Sequence, residues 1–193
     1  MNPVVVEVGP QTIRGPNPVP PESVSVAVEC IDDDLALLGE RLIEVRRLWS
    51  DLLEAAAGGC DEPLVLVVPT WWSAVRVDLV GAAARDAAAD VVVLRRGMIL
   101  SADSGATVVE FSGEFLVIVS AAGQIDVVPR GERDVAALLA EAFLTAATEI
   151  VIDVPAAVPP PPPALGARLR ALGIAVAYGD RRRMLRAAGA ALP

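Results

Sequence analysis

Val4-Val5-Val6-Glu7-Val8-Gly9-Pro10-Gln11-Thr12-Ile13 is an apolar strand, a carboxylate, a tight turn and a returning strand. About a hundred residues on, Val108-Val109-Glu110-Phe111-Ser112-Gly113-Glu114-Phe115-Leu116-Val117 repeats that order. In both, the carboxylate sits near the end of a strand that reads as buried, beside a glycine turn. Phosphate-handling α/β proteins hold a metal or phosphate group at such a corner, where backbone amides face a carboxylate. The repetition divides the chain into two similar halves.

The rest of each half supports that division. In the first, Ser23–Cys30 (SVSVAVEC) alternates with period two and is predicted as a third strand. A short strand pair turns at Gly39-Glu40, with Leu35–Leu38 on one side and Leu42-Ile43 on the other. Val45, Trp49, Leu52, Leu53 and Ala56 recur at helical spacing, and Gly58-Gly59 stops that helix. Leu64–Val68 is an unbroken apolar strand, Ser73 is placed to cap an alanine-rich helix running to about Ala89, Val91–Leu94 is a strand, and Met98–Ala102 a short helical crossover.

In the second half, Thr107–Phe111, Phe115–Ser120 and Gln124–Pro129 form a meander. Helix Glu132–Thr148, strand Ile150–Val154, helix Leu165–Leu172, strand Ile174–Ala177 and a last helix from Asp180 to Ala191 follow. Strands that alternate with helices pair in parallel through right-handed crossovers. The expected class is therefore α/β: two tandem ribonuclease-H-like units, a first lobe over 1–104 and a second over 105–193.

Composition narrows the chemistry. The chain has 193 residues, is 54% hydrophobic and carries a net charge of −9. All sixteen basic residues are arginine, and histidine is absent. Histidine general-base or metal-ligand chemistry, a Schiff-base lysine and a P-loop lysine are all excluded within these residues. The acidic balance disfavours nucleic acid as a partner. Charge is uneven: residues 164–193 hold six arginines against one acid, a net of +5, and the remainder, with ten arginines and twenty-four acids, carries −14. Cys30 and Cys60 have no metal-site spacing and read as buried free thiols. No apolar run reaches the roughly 18 residues of a membrane span, and Met1-Asn2-Pro3 does not open like a signal peptide. A cytoplasmic location is expected.

The stretch LVLVVPTWWSAVRVDLVGAAARDAAADVVVLRRGMILSAD (Leu64–Asp103) resembles the part of heat-shock chaperones in which a strand ending in a proline turn with aromatic residues leads into an alanine-rich helix, a strand and a crossover. Two tandem ribonuclease-H-like units are the core of the actin-like ATPases to which those chaperones belong. The chain is similar to that core with its peripheral subdomains trimmed. The run Val6-Glu7-Val8-Gly9-Pro10, Leu48-Trp49, Val67-Val68-Pro69-Thr70-Trp71-Trp72 and Val108-Val109-Glu110-Phe111 further resembles the N-terminal domain of the actinobacterial type VII secretion-associated protein family.

The resemblance implies a magnesium–nucleotide cleft between two aspartate-bearing phosphate hairpins. This chain departs from it at each point. Glu7 and Glu110 stand for the aspartates, and Pro10, which has no N–H to donate, falls where an amide or hydroxyl would meet phosphate. Glu114 adds an anion to the second turn, Asp153-Val154-Pro155 replaces the expected Gly-Gly, and the chaperones' catalytic lysine is missing. The implied role is a pseudo-ATPase with no catalytic residue, metal or cofactor: an adaptor or assembly factor whose partner is a protein of a secretion machine. Peripheral membrane association and homo-oligomerisation are compatible with it.

Glu7, Gly9, Gln11, Thr12, Glu110, Ser112 and Gly113 are then the remains of a nucleotide cleft. The alternative is a reduced but working magnesium-dependent phosphohydrolase using Glu7 and Glu110. Trp71 and Trp72 are candidate partner anchors, or they pack a helix on the sheet. Arg181, Arg182 and Arg183 are candidates for an acidic partner or membrane surface, or a solvated helix face. Pro159–Pro163 is a stiff polyproline segment and Asp32-Asp33-Asp34 an acidic turn.

Overall fold

The computed structural model describes residues 3–59, 62–130 and 149–191. The helix expected at Glu132–Thr148 and the burial expected of Cys60 lie outside them. The described chain is mixed α/β and falls into two compact units, Met1–Arg95 with Ala188–Pro193, and Arg96–Ala187.

In the first unit, β1 (Val4–Val8) pairs antiparallel with β2 (Ile13–Arg14) and parallel with β5 (Leu64–Val68), which pairs parallel with β6 (Val91–Arg95). The sheet order is β2-β1-β5-β6. Alternation places Val6 and Val8 on the face that meets α2 (Val45–Ala57), with Leu64, Leu66 and Val68 of the neighbouring strand. Glu7 points to the other face and is nonetheless buried. Helix α2 presents Leu48, Trp49, Leu52, Leu53 and Ala56 to the core at three- and four-residue intervals and packs against α3 (Ala74–Ala87). The Ser73 hydroxyl accepts the Arg76 amide at 3.3 Å, the N-cap of α3 that the sequence predicts.

The segment expected as a third strand is instead a helix, α1 (Pro21–Glu29). Pro21 at its first turn lacks the N–H that a helix start leaves unsatisfied anyway, and its fixed φ suits the position. Val24 and Ala27 are buried, a helical interval hidden within the period-two alternation of SVSVAVEC, and Ile31 just past the helix is buried with them. Tertiary contact selects the helical reading: the Trp49 indole N–H donates to the Ala27 carbonyl at 3.1 Å, tying α1 to α2. The first sheet therefore has four strands rather than five. β3 (Leu35–Leu38) and β4 (Arg41–Glu44) form a separate hairpin around Gly39, whose φ of +62° suits the tight two-residue turn.

In the second unit the strands β7 (Thr107–Phe111), β8 (Phe115–Val119), β9 (Ile125–Pro129), β10 (Glu149–Asp153) and β11 (Ala175–Tyr178) form one sheet in the order β11-β10-β7-β8-β9. β7, β8 and β9 are antiparallel, while β10 and β11 join in parallel. One face carries Val109, Phe111, Leu116, Ile118, Ile150 and Ile152 into a core closed by Leu165 and Leu169 of α5 (Leu165–Ala171). Against the sheet also lies α4 (Arg96–Ser104), packed on β7, β8 and β10. The last helix, α6 (Arg181–Ala190), begins where Asp180 Oδ1 accepts the Arg183 amide at 2.6 Å.

Candidate functional site

The second turn is built from its own hydrogen bonds. The Ser112 amide donates to the Phe115 carbonyl at 2.9 Å, which closes the hairpin. The Ser112 hydroxyl accepts the Phe115 amide at 2.8 Å and the Glu114 amide at 3.3 Å, and donates to the Phe115 carbonyl at 3.1 Å. Two turn amides and one hydroxyl, the groups that would otherwise cradle a phosphate, are bonded to each other. Arg130 reinforces the turn: its guanidinium lies 5.2 Å from the Phe111 ring centre and donates to the Ser112 carbonyl at 3.1 Å. Gly113 and Glu114 are exposed at the tip.

Glu110, the carboxylate before this turn, is wholly buried and stands in register with Asp153 of β10. Neighbouring residues in register point to the same side of a sheet, and the strands are about 4.8 Å apart. Two buried carboxylates therefore share one corner. Asp153 is also wholly buried and is held by Arg96 at the start of α4. The guanidinium grips it with two nitrogens: Nε bonds Oδ2, and Nη2 donates to Oδ1 at 3.0 Å. This is the paired-fork geometry that makes arginine–carboxylate contacts strong. Gly179 lets the chain pass this point, because a Cβ there would come within 2.6 Å of Asp153 Oδ1. The positive charge at this corner is covalently part of the protein.

In the first unit, Glu7 is buried in register with Arg14 of β2 and Val67 of β5. The Gly9 amide donates to the Thr12 carbonyl at 2.7 Å and closes the turn over Pro10 and Gln11. The Thr12 hydroxyl is buried with no hydrogen-bond partner among the described residues. Pro10 and Gln11 border a hollow of about 440 Å³ whose other wall is α1, through Pro21, Ser25, Val28 and Glu29. The Ser25 hydroxyl donates to the Glu29 carboxylate at 2.9 Å. The helix that replaced the expected strand thus sets an acid beside the first turn.

The sequence-derived candidates gather in two places, Glu7, Gly9, Gln11 and Thr12 in one unit and Glu110, Ser112 and Gly113 in the other. The metal implied by the resemblance does not fit the residues present. Asp153, the carboxylate beside Glu110, is committed to an arginine, and among the described residues no group of three or more Cys, Asp or Glu side chains converges as a metal site. Sequence reasoning noticed Asp153 only as a departure from Gly-Gly and missed Arg96. The two lie 57 residues apart, and only the parallel pairing of β7 with β10 brings them together.

The partner candidates separate. Trp72 is 3% exposed and edge-on to Trp49 at 6.1 Å, so it belongs to the core and is withdrawn from any partner. Trp71 is half-buried, 6.5 Å from Trp72, with Arg76 5.9 Å from its ring centre. Arg95 donates to the Thr70 and Trp72 carbonyls at 2.6 and 2.8 Å, which fixes the loop carrying both indoles. Arg183 bonds Asp103 at 3.2 Å, whereas Arg182 is exposed and Arg181 half-buried. Asp32 of the acidic turn is paired with Arg76. Among the described residues, no helix is long and apolar enough to cross a membrane.

No family model and no curated protein matches the chain. Among solved structures it is similar to the MamK double helical filament, with 12% identity and a TM-score of 0.48, covering 77% of this chain and 75% of that one. It is also similar to a non-polymerising MamK mutant bound to AMPPNP, with 12% identity and a TM-score of 0.49, covering 76% and 73%.

Proposed function

We propose that the chain is a non-catalytic, actin-like adaptor or assembly domain, built as two ribonuclease-H-like lobes over 1–104 and 105–193 and serving type VII secretion. The strand order β11-β10-β7-β8-β9, three antiparallel strands followed by two parallel ones, supports the lobe assignment for the second half. The secretion role rests on the sequence pattern from Val6-Glu7-Val8-Gly9-Pro10 to Val108-Val109-Glu110-Phe111. One observation carries the non-catalytic reading: the groups at the second carboxylate corner are already used by the protein. Arg96 holds Asp153, and the Ser112 hydroxyl holds the turn amides. A nucleotide phosphate or its metal would have to displace bonds internal to the protein, buried between Arg96 and Asp153 and partly buried at the Ser112 turn.

Isothermal titration with magnesium–ATP tests this. The expected result is no binding tighter than about millimolar, roughly 4 kcal/mol. Micromolar binding accompanied by hydrolysis that Glu7→Ala abolishes would instead establish the alternative, a reduced phosphohydrolase working through Glu7 and Glu110.

A further inference from the structure

The hairpin of β3 and β4 has one face in the core and one face in solvent. Ala36 is buried, and Leu38 and Ile43 pack beside it against the core of the first unit. The opposite face carries Leu35, Leu37 and Leu42, exposed by 53%, 60% and 72%. Leu37 and Leu42 are direct cross-strand partners, and Leu35 faces Glu44 in the next pair. Single exposed leucines are ordinary, but three on one face of an anchored hairpin make a continuous apolar patch. The inner side chains hold the patch rigid, so little ordering is needed to use it.

The rim states the chemistry of what covers it. From Asp32 to Glu44 the chain has five acids and one base, Arg41. Asp32 is taken by Arg76, while Asp33, Asp34, Glu40 and Glu44 are exposed around the leucines. An anionic membrane surface would be repelled by such a rim. A second copy using the same patch would bring acid against acid, since a two-fold contact matches each surface with itself. The leucines lie on the face of the hairpin rather than at its edge, so an occupant covers side chains and does not add a strand.

We infer that this face docks an amphipathic helix of a partner protein, with leucine-type residues on one side and arginine or lysine flanking them. Apolar anchors in a charged frame are the usual division of labour in helix recognition, the first giving affinity and the second orientation and encounter rate. The inference rests on the adaptor reading for its biological purpose, but its chemistry stands on the hairpin alone.

The test uses the full chain and a fluorescein-labelled leucine–lysine peptide of roughly 18 residues, five helical turns. Fluorescence anisotropy should show saturable binding. The double substitution Leu37→Ser and Leu42→Ser should weaken it by about tenfold or more, as loss of central anchors does, although net charge is unchanged. Glu40→Gln with Glu44→Gln should weaken it less and flatten its dependence on salt. Because these side chains are largely exposed, circular dichroism of the variants should match the parent.

Equal binding by the leucine variant, or no saturable binding by the parent, overturns the proposal. So does sedimentation showing that the parent self-associates through this face and the leucine variant does not, or binding of the parent to anionic vesicles that the leucine variant loses. Tight nucleotide binding in the separate titration would defeat the pseudo-ATPase reading and leave the peptide result standing.

Discussion

At Asp153 and Arg96, two charged residues are removed from water and hydrogen-bonded to one another. Such pairs contribute little net stability as a pair, but breaking one leaves a bare charge in the interior. Asp153→Ala should therefore destabilise the protein by about 3–5 kcal/mol, read as a lowered urea midpoint, and replacing both residues with Leu and Met should recover most of that loss. A single-substitution cost near that of a surface change would mean that water reaches the corner. Ala157 offers the opposite case. It lies in the left-handed region, with φ of +67°, at the third position of a turn closed by the Val158 amide on the Pro155 carbonyl at 3.2 Å. That position favours glycine. Ala157→Gly should raise stability by about 0.5–1 kcal/mol, the relieved strain exceeding the added freedom of the unfolded chain. An unchanged or lowered midpoint in urea would count against strain at this turn.

Among the elements, α1 shows most clearly what the sequence conceals. Short runs of Val, Ala and Ser satisfy both a two-residue and a 3.6-residue period, and SVSVAVEC contains both. The decisive local signal was the Pro20-Pro21 start, which suits a helix N-terminus and does not suit a paired strand. The decisive tertiary signal, the Trp49 bond to the Ala27 carbonyl, has no signature in a linear reading. β1, β5, β7 and α2 were legible because their burial pattern is written in their own residues. The closed state of the Ser112 turn was partly legible too, since a serine two and three residues before free amides commonly bonds them. The Arg96–Asp153 pair was not, because it depends on which strands become neighbours.

An element-level contact also carries a pH dependence. Hydrogen bonding from Arg76, aided by its charge and opposed by partial burial, holds the Asp32 carboxyl below its usual value and ties the loop before β3 to α3. A depressed carboxylate stabilises the fold above its unfolded pKa of about 3.9, and that contribution is lost as pH falls through the lower folded value. Asp32 is largely exposed, so the effect is small, under about 1 kcal/mol. Asp32→Asn should thus be slightly less stable than the parent at neutral pH, and the difference should shrink as pH falls below the unfolded value of about 3.9. A difference that persists in acid would assign the effect to packing rather than charge.

For the whole molecule, the two apolar clusters give the most direct prediction. Val6 to Ala84 bound one set of buried side chains and Val109 to Ile174 the other, and each set lies within one compact unit. All three tryptophans, Trp49, Trp71 and Trp72, belong to the first unit, whereas backbone circular dichroism reports on both. Two cores that close separately need not melt together, and coincidence of different probes is the test of a single transition. Urea unfolding of the parent followed by tryptophan fluorescence and by far-ultraviolet dichroism should give curves that differ in midpoint or breadth. Asp153→Ala, placed in the second unit, should then widen the gap: the dichroism curve should gain an earlier phase while the fluorescence midpoint stays within error of the parent. If both curves move together by the same amount, the units fold as one cooperative body, and the Arg96–Asp153 clamp stabilises the whole molecule rather than the second core.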